Sequence, residues 1–212
     1  MSDPYNSREI VNDFIRYKLT QRGYGQSGPS PPPPSSSPPP PPSSSSSQST
    51  AQLLRVLRAA GDEFESRYRA SFSDLSQQLH VSQGCAEQRF AEVTAELFRD
   101  GVNWGRVVAF LAFGAALCAE CAGKEMGFLV DGIAQWMANY LDEELRDWIQ
   151  QNGGWDSFVS LYGARGGGLA RRRLHGANDD EPLVWPSLKT VITGLAAVGA
   201  CLTVGALFNV HK

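Results

Sequence analysis

The chain has 212 residues, 42% of them hydrophobic, and its 19 lysines and arginines against 22 acidic residues give a formal net charge of -3. That length holds one domain of ordinary size plus extensions, and the charge excludes nucleic-acid binding driven by bulk positive charge. The cysteines Cys85, Cys118, Cys121 and Cys201 are scattered, as in a reducing compartment rather than a disulfide framework.

Near the N-terminus, REIVNDFIRYKL puts Ile10, Phe14 and Tyr17, with Val11 beside them, on one face of a short amphipathic helix over residues 8–22. No signal peptide is expected before it, because MSDPYNSREIVNDF is polar and charged. Residues 25–50 follow as a tract of proline and serine without a charge or a large apolar side chain. Such a tract cannot form a core and is read as a disordered, partly polyproline linker. Ser30-Pro31 and Ser37-Pro38 within it are candidate sites for proline-directed kinases.

Beyond the linker every recurrent pattern is helical. Leu53, Leu57, Ala60 and Phe64 fall on one helix face, Phe90, Val93 and Leu97 on another, and Leu129, Ile133, Trp136 and Tyr140 on a third. Arg58 and Asp62 have the spacing of a helical ion pair. No alternating run is long enough for a strand.

The stretch GVNWGRVVAF opens a different kind of helix. Asp100-Gly101 is a turn signal and Asn103 a good N-cap, so Trp104, Gly105 and Arg106 fill the first turn. From Val107 to Ala119 every residue is apolar or glycine, and a helix apolar all round must be surrounded by protein. Cys118 and Cys121 lie late in that helix, where the dipole does not activate a thiol, and are read as packing residues. Arg106 opposes the helix dipole at the N-terminus. Two readings are open: a carboxylate of its own domain meets it, or a second helix docks there and supplies one, with Gly105 letting that backbone approach.

Residues 164–187 read as a flexible connector, with GARGGG and the run Arg171, Arg172 and Arg173. Thr190 to Val210 is free of charge and long enough to cross a bilayer, with Trp185 and Lys189 ahead of it and Lys212 behind. A transmembrane tail anchor over residues 188–210 is therefore expected, with the preceding domain left facing the cytosol. Catalysis is not expected: the histidines, His80, His175 and His211, lie far apart and near no nucleophile or metal cluster. No metal and no cofactor is expected either.

Four stretches together resemble the B-cell lymphoma 2 family of apoptosis regulators. ELFRDGVNWGRVVAFLAFGAAL is similar to the family's first homology motif, WIQQNGGWDSFVSLYG (148–163) to the second, LRAAGDEF (57–64) to the third and YNSREIVNDFIRYKLTQRGY (5–24) to the fourth. The likeness is strongest to the founding, survival-promoting (anti-apoptotic) member. NWGR and NGGW carry most of the specificity. The resemblance divides the chain into an N-terminal helix (5–24), the Pro/Ser-rich loop (25–50), a helical bundle (51–163), the connector and the anchor.

The resemblance implies an all-α bundle of about eight helices around a central hydrophobic one, and binding rather than catalysis. Survival members hold the amphipathic third-motif helix of a death-promoting relative in a surface groove. Positions that would line it are Phe64, Tyr68, Phe72, Leu75, Val93, Leu97, Val108, Ala109, Phe113 and Tyr162. Arg106 would take the ligand's aspartate, with Asn103 and Gly105 close by. Ser71 stands where the close relative has an acidic residue, and the loop lacks the aspartate that caspase cleavage requires. Implied partners are Bax-like and Bak-like executioners and Bim-like and Bad-like death-motif proteins; implied locations are the mitochondrial outer membrane and the endoplasmic reticulum. A pore-forming, pro-apoptotic relative shares the bundle and is the rival reading. The chain's own third motif is either an exported ligand face or the inner face of a bundle wall; the second is favoured, because the first exposes a sticky apolar patch.

Overall fold

The computed structural model describes residues 5–24, 45–68 and 86–163. Those residues form seven helices: α1 (Ser7–Gln21), α2 (Ser45–Arg67), α3 (Ala86–Phe98), α4 (Trp104–Gly123), α5 (Leu129–Glu143), α6 (Arg146–Gln151) and α7 (Gly154–Gly163). The expected anchor and connector, and the part of the loop before Ser45, lie outside the described residues. α2 begins inside the stretch read as linker. The last proline of that tract is Pro42, so no ring blocks the helix from propagating back through the serines.

α4 is the axis of the bundle, with α1, α2, α3 and α5 packed on it. Every residue from Trp104 to Ala119 is buried, the continuous burial that an all-round apolar helix demands. Its length and mean hydropathy of 1.6 would suit a membrane, yet 89% of its most apolar 18-residue stretch is buried in protein, so its apolar surface is already satisfied by its neighbours. Cys118 and Cys121 are free and buried. Burial pushes both thiols up, with Glu120 adding to the effect at Cys121, and leaves them inert packing groups.

The amphipathic faces read from sequence are buried in α2 and α3: Leu53, Leu57, Ala60 and Phe64, and Phe90, Val93 and Leu97. On α5 the buried stripe is rotated. Ile133, Ala134, Met137, Ala138 and Leu141 are buried, while Trp136 and Tyr140 lie half-buried at its edge. The small side chains of Ala134 and Ala138 present the lower ridge, and the large aromatics splay to the flank.

α1 starts at Asn6, whose side chain accepts a hydrogen bond from the Glu9 backbone N–H at 3.1 Å. It buries Ile10, Val11, Phe14, Ile15 and also Lys18, whereas Tyr17 is only half-buried. Lys18, 1% exposed, reaches Asp62 at 2.6 Å and Glu65 at 3.2 Å on α2. The Tyr17 hydroxyl donates to Asp62 at 2.6 Å. Arg58 forks onto the Asp13 carboxylate and lies 5.2 Å from the Tyr17 ring centre. The expected Arg58–Asp62 pair within one helix is therefore replaced by pairs between helices, because α1 brings a better-placed opposite charge to each residue. α1 is also tied to α5, through Arg8 with Asp131 and Ser7 with Asp142, and to α7, through Tyr5 with Asp156 at 2.5 Å.

Candidate ligand-helix groove

The groove residues come from α4 itself and from α2 with the residue after it, α3 and α7 around it. Phe64 ends the buried face of α2, and Tyr68 follows it with ring centres 5.0 Å apart. Val93 and Leu97 lie one turn apart on α3, and Val108, Ala109 and Phe113 on α4. Tyr162 of α7 stacks on Phe158 at 4.5 Å. All of them belong to, or pack against, one continuous apolar cluster. Phe72 and Leu75 lie outside the described residues.

The aromatic filling between α3 and α4 is Phe90, which no groove reading from sequence included. Its ring touches Phe110 at 5.9 Å, Phe113 at 6.3 Å and Trp136 at 5.9 Å. Its position on the Phe90/Val93/Leu97 stripe was the available signal. With that filling in place the α3 and α4 walls are closed: Val93, Leu97, Val108, Ala109 and Phe113 are each at most 5% exposed.

The polar end of the site is built by the turn between α3 and α4. Gly101 takes φ +98, a left-handed conformation that suits glycine, and so reverses the chain immediately after α3. Asn103 then caps α4, its side chain accepting from the Arg106 backbone N–H at 2.9 Å. Trp104 plugs the base of α4 into an aromatic nest, 5.0 Å from Trp148, 5.5 Å from Trp155 and 5.2 Å from Phe158. NWGR and NGGW thus meet through their tryptophans. Gly105 is buried beside it.

These contacts fix where Arg106 emerges. The residue is 4% exposed. Nη1 donates to the Gly101 carbonyl, and Nη2 lies 3.6 Å from Asp100, a carboxylate that is itself half exposed. Nε is buried and has no hydrogen-bond partner. Of the two readings left open by the sequence, the internal one is met only in part: Asp100 offsets the charge at longer than hydrogen-bond range, and one N–H is left over. A buried donor without a partner costs about 1–3 kcal/mol. Asp100 was read from sequence only as a turn former.

The described residues also form an open cleft of about 650 Å³ between α1 and α5, lined by apolar residues such as Ile15, Leu19 and Val130 and by polar ones such as Asn12, Arg16 and Asp131. None of the groove residues lines it.

Comparison with known proteins agrees with this architecture. Residues 57–155 match the family model described as apoptosis regulator proteins, Bcl-2 family, and residues 4–25 match Bcl-2 homology region 4. Apoptosis regulator R1 of Xenopus laevis is 50% identical over 95% of this chain and 78% of its own length. The chain belongs to the Bcl-2 family. Apoptosis regulator Bcl-2 of Gallus gallus is 44% identical, with 98% of this chain and 97% of the relative covered. Bcl-2-like protein 1 of Homo sapiens is 41% identical, with 96% and 98% covered. As a Bcl-2 family apoptosis regulator the protein is not an enzyme, and its membership implies interaction with other members of the family.

Proposed function

We propose that this Bcl-2 family protein is anti-apoptotic and captures the amphipathic death-motif helix of pro-apoptotic relatives along α3 and α4, so preventing permeabilisation of the mitochondrial outer membrane. The observation that supports this reading is Arg106: a buried guanidinium at the end of an apolar wall, held loosely by Asp100 and carrying an unpartnered Nε. A ligand aspartate would replace a long ion pair with a charge-assisted and bidentate one. The apolar side chains of the incoming helix would take over contacts now made within the wall, with α3 yielding to admit them. Executioners of the Bax and Bak type and death-motif proteins of the Bim and Bad type are the proposed partners, and residues 190–210 the proposed anchor in mitochondrial outer and endoplasmic reticulum membranes.

Magnitudes decide what Arg106 contributes. Four apolar anchors at roughly 1.5–3 kcal/mol each give about 6–12 kcal/mol gross. Ordering the ligand removes about 2–5 kcal/mol, and lost rigid-body freedom removes more. Apolar burial alone leaves modest affinity, and the arginine sets register. Arg106→Ala is expected to weaken a death-motif peptide at least about tenfold in calorimetric titration, with little change in Tm; equal affinity would reject the assignment. Liposomes treated with an activated executioner separate this reading from the pore-forming one: protection of the vesicles supports capture, and dye release by this protein alone opposes it.

A further inference from the structure

The charged residues between α1 and α2 form an ordered series. Asp13 pairs with Arg58, Lys18 with Asp62 and Glu65, and Arg22 with Glu65 at 3.8 Å. Partner numbers rise together along both helices, so the two run in the same direction. The signs read minus, plus, plus on α1 against plus, minus, minus on α2.

That order penalises every neighbouring arrangement. Sliding α1 by one turn toward the C-terminus of α2 sets Asp13 against Asp62; sliding it one turn the other way sets Lys18 against Arg58. Reversing α1 brings Arg22 toward Arg58 and Asp13 toward Glu65. Each error places like charges together; the repulsion is least screened where Lys18, 1% exposed, would face Arg58, and weaker where Asp62 or Arg22, 40% and 33% exposed, takes part. The apolar face of α1, Ile10, Val11, Phe14 and Ile15, has no such directional content. Residues 25–44, almost all proline, serine and glycine, carry no charge that could steer the docking.

A notch fixes the same register independently. Phe14 lies against Gly61, where an added Cβ would meet the ring at 2.5 Å, and the Lys18 side chain passes the same point at 3.5 Å. One turn of slip moves the ring about 5.4 Å along the helix, onto residues that bear side chains.

We propose that the Asp13–Arg58 and Lys18–Asp62/Glu65 pairs act as a register code that makes α1 dock on α2 in one direction and at one level, with Phe14 in the Gly61 notch as its mechanical stop. The glycine and aspartate of the chain's own third motif are thereby committed to recognising α1. The code is a device of specificity, in the way that buried polar groups elsewhere select one arrangement from several of similar apolar content.

Charge reversal in the full chain, held in nanodiscs, tests the proposal. Asp13→Arg and Arg58→Asp each place like charges together, and the double variant restores the pair with its polarity swapped. Two readouts are followed: native-state hydrogen exchange of α1 and α4 amides, and the nuclear Overhauser contact between the Phe14 ring and the Gly61 Hα. Each single variant is expected to raise local opening of α1 by about tenfold or more while α4 keeps its protection. Each single variant is also expected to weaken the Phe14–Gly61 contact. The double variant should return opening to within about threefold of the parent and recover the contact. Single variants that leave α1 unchanged, or a double variant as open as the singles, would overturn the proposal.

Discussion

α1 and α3 both lay an apolar face on α4, but they are held in different ways. α1 is fastened on three sides, to α2, α4 and α5, and its polar side chains find partners across those contacts. α3 rests chiefly on α4, through Phe90, Val93 and Leu97. Its flank keeps buried polar atoms without partners, Thr94 Oγ1 and one Glu92 carboxylate oxygen, and Arg106 Nε lies just beyond the turn that follows it. Buried polar groups are nearly always paired in folded proteins. The α1–α2 seam holds one exception among the described residues, Glu65 Oε1, which lies 3.8 Å from Arg22, and the α3 side holds the other three, so it is the less well satisfied of the two. The clamped side gives the fold its definition; the under-satisfied side is the one that a ligand helix can improve.

The comparison breaks most visibly at Phe14. Phe14→Ala removes a fully buried ring and is expected to cost about 3–5 kcal/mol in denaturant unfolding. A loss below about 1 kcal/mol would mean that α1 is an appendage rather than a wall.

A smaller effect is expected at Asp62. Burial alone pushes its carboxyl up, but the hydrogen bonds from Lys18 and Tyr17, together with the Lys18 charge, outweigh burial and hold it below the usual carboxylate range. A carboxylate whose pKa is lower folded than unfolded adds stability that is complete above the unfolded value, about 3.9. That stability disappears as the pH falls through the lower folded value. Asp62→Asn is expected to cost about 1–2 kcal/mol at pH 7, a figure discounted because the Asp62 side chain is 40% exposed. The difference between parent and variant should stay constant from pH 7 to pH 5 and shrink below about pH 4. Convergence already at pH 6 would show that another group carries the effect.

The smallest effect sharpens the α3 side and has the opposite sign. Thr94→Val replaces a buried, unpartnered hydroxyl with a methyl of similar shape and is expected to stabilise the fold by about 1 kcal/mol. Destabilisation would mean that the hydroxyl has a partner in solution and that α3 is better satisfied than its contacts indicate.

Much of the fold was legible because burial in a bundle follows helical period. The apolar run of α4, the stripes of α2 and α3 and the Asn103 cap all depend on local spacing or a local hydrogen bond. Where the reading failed, the deciding partner was distant in sequence. Lys18 is absent from the face read for α1 because nothing nearby announces Asp62 and Glu65, and Arg58 was paired with Asp62 because Asp13 is 45 residues away. On α5 the aromatics dominated the pattern, although the small residues make the closer contact. At the site, Arg106 stood out as a charge against the dipole, yet its partial neutralisation by Asp100 follows from the Gly101 turn, a three-dimensional fact.

The nest around Trp104 gives the protein an optical reporter at the base of its first motif. Indoles held as close as Trp104, Trp148 and Trp155 couple their transitions when their planes are fixed, and the tilts of 71° and 45° favour a near-ultraviolet dichroic band. Arg106 lies in the same first turn of α4, two residues on and facing away from Trp104, so a partner reports through the indoles where it shifts that turn as a whole. Occupancy could then be followed by light alone, without a label on either molecule.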